Sequence, residues 1–223
     1  MKENIKKKDF GIRVIVGFVI FFAVFFGGDW LVGKSLYGVS NKVGGTCLRV
    51  SLGILCSIYT AKVLKIKIGF KRDDFFRGLM MQTPIWLIAV FFSVINVVKL
   101  SGKMTTSEFF VNCAVWSVYA LAVGFFEEVL CRGLLLNGLC VMLEGKKNPV
   151  IVSIVLSSLI FGALHFINVI DGSASFIETA IQVVYTTVGG IVFAMAYKRS
   201  NTIWSTIVVH GFLDFAVFMG KPF

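Results

Sequence analysis

Residues 108–143 read EFFVNCAVWSVYALAVGFFEEVLCRGLLLNGLCVML. About 20 apolar residues span a bilayer, so this stretch reads as one long or broken transmembrane helix. Its middle carries Glu127, Glu128 and Arg132. A charge at the bilayer centre costs roughly 2.5–3.5 kcal/mol on insertion scales, so charges kept there mark a functional position. Glu128 and Arg132 are four residues apart; on a helix they stack on one face and neutralise each other. Glu127 points about 100° away and lacks that partner.

The other buried-looking polar residues lie downstream. His165 falls in the apolar segment 150–168, and His210 and Asp214 fall in 202–219. The chain has only two histidines, and both are in apolar segments. Phe161 and His165 are four apart, as are His210 and Asp214. The second spacing lets a carboxylate orient the imidazole or share its proton. Gly145-Lys-Lys-Asn-Pro149 is a turn between the two segments. Counted from that turn at 1.5 Å per residue, Glu127 and His165 sit at similar heights, roughly 25–30 Å along their helices. An intramembrane cavity shared by these side chains is therefore expected.

The rest of the chain agrees with a membrane environment. Hydrophobic residues make up 57% of the 223 and charged residues 15%, and the mean hydropathy is +0.86. A soluble domain is about a quarter charged. Seven apolar segments are predicted, at about 12–33, 45–64, 78–98, 108–143, 150–168, 176–197 and 202–219. The fold class expected is all-α, a polytopic transmembrane bundle of about seven spans around a polar cavity. It forms a single membrane domain over 1–223. Beyond Gly133 the overlong fourth segment reads as a tilted continuation or an interfacial tail.

The run Val14–Val32 is too long and Phe-rich for a cleaved signal and reads as a retained first helix. The net charge of +10 is best explained by topology and lipid headgroups. With the N-terminus cytoplasmic, sixteen of the 22 Lys and Arg residues fall inside, including Lys2, Lys6, Lys71 and Arg72. Lys34, Lys42, Arg49, Lys99, Lys103 and Lys221 fall outside. No basic stripe interleaved with aromatics points to nucleic acid. Cys47, Cys56, Cys113, Cys131 and Cys140 form no CxxC pair, which argues against a disulfide framework or zinc knuckle. Asp29 reads as a helix-end residue, Arg49 as snorkelling and Pro84 as a kink. Gly189-Gly190 reads as close helix packing, and Lys65 to Arg77 as a cytoplasmic loop against lipid headgroups.

Three motifs now stand in order on three segments. Glu127-Glu128-Val-Leu-Cys-Arg132 fits EExxxR, Phe161-Gly-Ala-Leu-His165 fits FxxxH, and His210-Gly-Phe-Leu-Asp214 fits HxxxN/D. Together they resemble the CPBP (Abi) family of intramembrane proteases, which includes CAAX prenyl proteases and bacteriocin-processing or immunity proteins. The resemblance covers about residues 108–219, which would form the catalytic core. It implies Glu127, His165 and His210 as catalytic residues, supported by Glu128, Arg132, Asp214 and Phe161. The chain departs from the commoner family pattern at Asp214, where Asn is usual. An amide can donate a hydrogen bond to an oxyanion; an ionised carboxylate cannot.

The reaction implied is peptide hydrolysis at the membrane. Glu127 would act as general base on water, a contribution of about 10²–10⁴-fold. His165 would assist it or position the water. His210 would stabilise the oxyanion, a contact worth about 10²–10³-fold. No cofactor is needed on this reading. The mechanistic alternative is zinc or another divalent ion held by Glu127, His165 and His210, since two His plus Glu is a known ligand set. The expected partners are membrane lipids and a peptide or protein substrate, lipidated or membrane-inserted. The compact chain without an organellar signal suggests a bacterial cell membrane. Two other functions use the same residues: a non-catalytic immunity protein or scaffold, and a proton-coupled transporter. The absence of an evident internal repeat weighs against the transporter.

Overall fold

The computed structural model describes residues 2–70 and 74–220, with side chains from residue 7 onward. Lys71, Arg72 and Lys221, used above for topology, lie outside the described residues, as do the side chains of Lys2 and Lys6. The structure is 83% helical, and among the described residues there is no strand, only an isolated bridge between Phe70 and Thr202. In chain order the helices are α1 (Lys2–Ser35), α2 (Gly38–Lys62), α3 (Phe75–Met81) and α4 (Thr83–Leu100). There follow α5 (Thr106–Glu128), a π-helical segment (Val129–Leu136) and α6 (Asn137–Met142). The chain closes with α7 (Pro149–Leu164), α8 (Ile167–Ile170), α9 (Phe176–Ser200) and α10 (Trp204–Phe218).

Among the described residues, six stretches are long and apolar enough to cross a membrane, and α10 is a shorter apolar helix. At 15 residues, α10 is roughly 22 Å long, less than the approximately 30 Å of a hydrocarbon core. It is packed inside the bundle, against α3, α4, α5 and α9. Large apolar side chains cover the outside. Val19, Val94, Val118 and Val184 are all more than half exposed. Such a surface is stable only where lipid is the solvent.

Local signals place the helix ends. Thr105 caps α5: its hydroxyl accepts from Glu108 N, and Glu108 Oε2 accepts from Thr105 N at 2.7 Å. Ser175 and Glu178 form the same reciprocal cap on α9. The Gly145 turn is as expected, with Gly145 at φ +81° and Pro149 in the first turn of α7.

Three expectations change. Pro84 does not kink a continuous span. Gln82 is non-helical (φ −104°, ψ 14°), and Pro84 lies in the first turn of α4, where a missing N–H costs nothing. The chain beyond Gly133 is not an interfacial tail, because Leu134, Leu135 and Leu136 are all buried within the bundle. Arg49 does not snorkel. It is 6% exposed, and its Nη1 donates to Asp29 Oδ1 at 2.7 Å and to Gly45 O at 3.2 Å. Its guanidinium also lies over the rings of Phe25 and Tyr119. A buried cation from α2 is therefore paired with an anion from α1 whose side chain stays 41% exposed.

Close approach of α5 and α10 sets the position of the charged residues. A methyl group at Gly124 would lie 2.9 Å from both Gly211 N and Ile207 O. A methyl at Gly211 would lie 3.0 Å from the Leu121 Cα. Backbone atoms cannot rotate aside, so Gly124→Ala must push the helices apart, and overpacking of this kind costs typically about 1–3 kcal/mol. The expected result is a lower Tm and at least an order-of-magnitude loss of activity. Gly27→Ala is the control, since nothing lies within 4 Å of a methyl there. Wild-type activity and Tm in Gly124→Ala would show that the α5–α10 spacing is not critical.

Candidate active site

The EExxxR residues straddle the boundary between α5 and the π segment. Glu128 is the last residue of α5, and the π turn opens at Val129. Such wide turns are frequent at functional sites. Glu128 and Arg132 pair as their spacing predicts, with Nη1 donating to Oε1 at 2.8 Å. Both are buried, at 0% and 2% side-chain exposure. Arg132 Nη2 donates to Gly190 O at 3.3 Å. Its guanidinium sits over Phe161 (4.6 Å) and Phe193 (5.5 Å).

His210 of α10 enters between the two glutamates. Its Nδ1–H donates to Glu128 Oε1 at 2.9 Å. Its Nε2 lies 3.7 Å from Glu127 Oε2 and 3.6 Å from Asp214 Oδ2. Glu127 therefore does have a facing partner, although not Arg132. The 100° that separates neighbouring residues is spanned because one imidazole offers nitrogens on opposite edges. Phe193 stacks on the His210 ring, centroids 5.2 Å apart and planes 17° apart. Phe161 meets the same ring edge-on at 5.9 Å.

Accessibility grades the cluster. Glu128, Arg132 and His210 are buried, while Glu127 and Asp214 keep 25% and 21% side-chain exposure. The two partly open carboxylates are thus the groups a water or a substrate can reach. Three carboxylates face one guanidinium and one imidazole. With His210 protonated, one further proton among the carboxylates makes the cluster neutral.

His165 is the residue not drawn into the cluster. It caps the C-terminal end of α7, and its Nδ1–H donates to Phe161 O at 3.1 Å. A carbonyl can only accept, so this bond requires a proton on Nδ1. The Phe161 ring touches both histidines, His165 at 5.3 Å and His210 at 5.9 Å. Among the described residues, no ion pair or hydrogen bond joins His165 to a carboxylate. No group of three or more His, Cys, Asp or Glu among them is placed to hold a metal ion. The set Glu127, His165 and His210 is thus not gathered as ligands here.

Residues 108–216 match the family model described as Rce1-like, type II CAAX prenyl endopeptidase. Over these residues the chain is similar to the CAAX-protease family. The matched region runs from the first turn of α5 to within α10 and holds all three motifs. No curated protein and no solved structure matches the chain. Helices α1–α4 lie outside the matched CAAX-protease region, yet α2 and α4 pack directly on it, against α5 and α10.

Two site residues carried no motif. Phe193 belongs to α9, and only its stacking on His210 reveals it. Gly190 was legible as a packing glycine: a methyl there would meet Ser158 Cβ at 3.2 Å and Phe161 Cδ1 at 3.3 Å. Its carbonyl's bond to Arg132 was not legible. Gly189 has nothing within 4 Å, so only one glycine of the pair packs.

Proposed function

We propose that this membrane peptidase cleaves the C-terminal tail of lipidated CAAX-type peptides, with Glu127 as the general base that activates water. The observation that carries this reading is the graded cluster around His210. One glutamate, Glu128, is fully buried with its Oε1 held by Arg132 and His210, and the next, Glu127, stays partly open beside the same imidazole. A carboxylate with spare lone pairs and access is what water activation needs.

In this mechanism Glu127 takes the proton of the attacking water. His210 lies 3.7 Å away and is held in its rotamer by Glu128 and the Phe193 stack. It stabilises the charge that develops and returns a proton to the leaving amine. Asp214 stands one helical turn beyond His210 and orients it, so this position need not donate to an oxyanion itself. His165, turned toward the Phe161 carbonyl, supports the Phe161 wall and offers Nε2 to the substrate side. The chemistry runs without a metal.

The test is cleavage of a prenylated CAAX peptide by purified protein in detergent or vesicles, followed by mass spectrometry. Wild type should release the C-terminal tail with or without a chelator, and Glu127→Gln should leave the peptide intact. Activity abolished by the chelator and restored by zinc would replace the metal-free mechanism. Full activity in Glu127→Gln would remove Glu127 as base.

A further inference from the structure

Asp29 and Arg49 lie outside the CAAX-protease match, and the two ends of this ion pair are unlike. The arginine is buried, while the aspartate side chain is 41% exposed. A pair kept for packing alone would hide both ends, because solvent at one end weakens the attraction. The cation is also underused. Asp29 and Gly45 both take Nη1, and the Nε–H is buried without a partner among the described residues. The rings of Phe25 and Tyr119 hold the guanidinium, their centroids 4.9 and 4.8 Å away. Arg49 is therefore fixed in place, while the anion on it can be exchanged at an open face.

This cation stands beside the His210 cluster. Helices α5 and α10 run antiparallel: Gly124 meets Ile207 and Gly211, Gly211 meets Leu121, and Trp116 and Tyr119 meet the Phe218 ring. Tyr119, whose ring carries Arg49, thus lies toward the Asp214 end of α10, since Asp214 is one turn before Phe218. Asp214 feels the charge of Arg49, and Tyr119 feels those of Arg49, Asp29, Asp214 and Glu127. These three carboxylates are the ones around Tyr119 that keep part of their surface open. Along α5, Tyr119 and Glu127 are eight residues apart, roughly 12 Å.

A CAAX peptide carries three residues and a free α-carboxylate beyond the cysteine. Fully extended, three residues reach roughly 10 Å, close to the axial separation of Glu127 from Tyr119 and the guanidinium on it. Such a tail needs a cation, because Glu127, Glu128 and Asp214 repel a carboxylate brought near them. We propose that Arg49 anchors the C-terminal carboxylate of the substrate, with Asp29 holding that place until the peptide arrives. The incoming carboxylate takes the Nη1 donor from Asp29, which turns to the open face. One anion replaces another, so the exchange never leaves a bare buried cation. An internal peptide segment has no carboxylate to offer and leaves Arg49 on Asp29, so the anchor selects free C-terminal tails. This inference rests on the peptidase reading and names Arg49 as a specificity-determining residue supplied from outside the matched region.

The experiment compares two prenylated CAAX peptides of one sequence, one ending in a free carboxylate and one in an amide. They are given to wild type, Arg49→Gln and Asp29→Asn. The readout is the acid-to-amide ratio of kcat/KM, from which the folded fraction of each variant cancels. Wild type should favour the acid by at least about tenfold, the worth of a hydrogen bond between charged partners. Arg49→Gln should bring the ratio close to one. Asp29→Asn removes the competing anion and should lower KM for the acid severalfold while leaving the amide unchanged. A wild-type ratio near one, or a ratio that survives Arg49→Gln, would overturn the anchor. If Arg49→Gln does not fold, Asp29→Asn decides alone. A KM for the acid that stays level or rises, as a purely structural pair requires, overturns the proposal. Wild type that cleaves neither peptide sinks the peptidase reading and the anchor with it.

Discussion

Glu127→Gln is expected to insert and fold as wild type does and to cleave a CAAX peptide about 10²–10⁴-fold more slowly. The amide is isosteric with the carboxylate, so packing around residue 127 is unchanged. It is also a very weak base, so the proton of the attacking water has nowhere to go. The side chain is 25% exposed and holds no short hydrogen bond, only the 3.7 Å approach of His210 Nε2. Folding therefore depends little on its charge, and the loss should appear in kcat rather than in Tm. The same change at Glu128 behaves differently, because that carboxylate is fully buried and anchors both Arg132 and His210. A scaffold or immunity function would survive Glu127→Gln intact. A residual rate within tenfold of wild type would mean that another group carries the proton.

How far the sequence reaches depends on whether a property is local. The Glu128–Arg132 pair was legible because it lies within one helical turn, where spacing alone sets the geometry. The turn at Gly145 and the start of α7 at Pro149 were legible for the same reason. The meeting of Glu127, Glu128 and His210 spans 82 residues of chain between Glu128 and His210. It follows from the Gly124–Gly211 approach, which no periodicity in either segment announces. His165 shows the converse. It shares a motif with Phe161, yet where its ring points is decided by the end of α7, so its bond goes to the Phe161 carbonyl. Arg49 was misread because a lone cation near a span end ordinarily snorkels; its partner Asp29 lies on a neighbouring helix.

Arg132→Met is expected to be the most destabilising change at the site. Arg132 is 2% exposed and Glu128 0%, so removal of the guanidinium leaves a buried carboxylate without its cation. Breaking such a pair from one side costs about 3–5 kcal/mol. For a chain of this size that lowers the Tm by roughly 10 °C. The Gly190 carbonyl and the faces of Phe161 and Phe193 lose their cation at the same time. The double variant Glu128→Gln/Arg132→Met removes both charges and should recover most of the stability, since a matched apolar replacement of a buried pair is often neutral. It should not recover activity. The His210 Nδ1–H then loses its charged acceptor at 2.9 Å, and the imidazole is no longer held beside Glu127. Thermal unfolding of the single and double variants, together with peptide cleavage, separates the two roles of the pair. Equal Tm values for Arg132→Met and wild type would show that water already reaches the Glu128 carboxylate. In that case Glu128, rather than Glu127, would be the better candidate for the base.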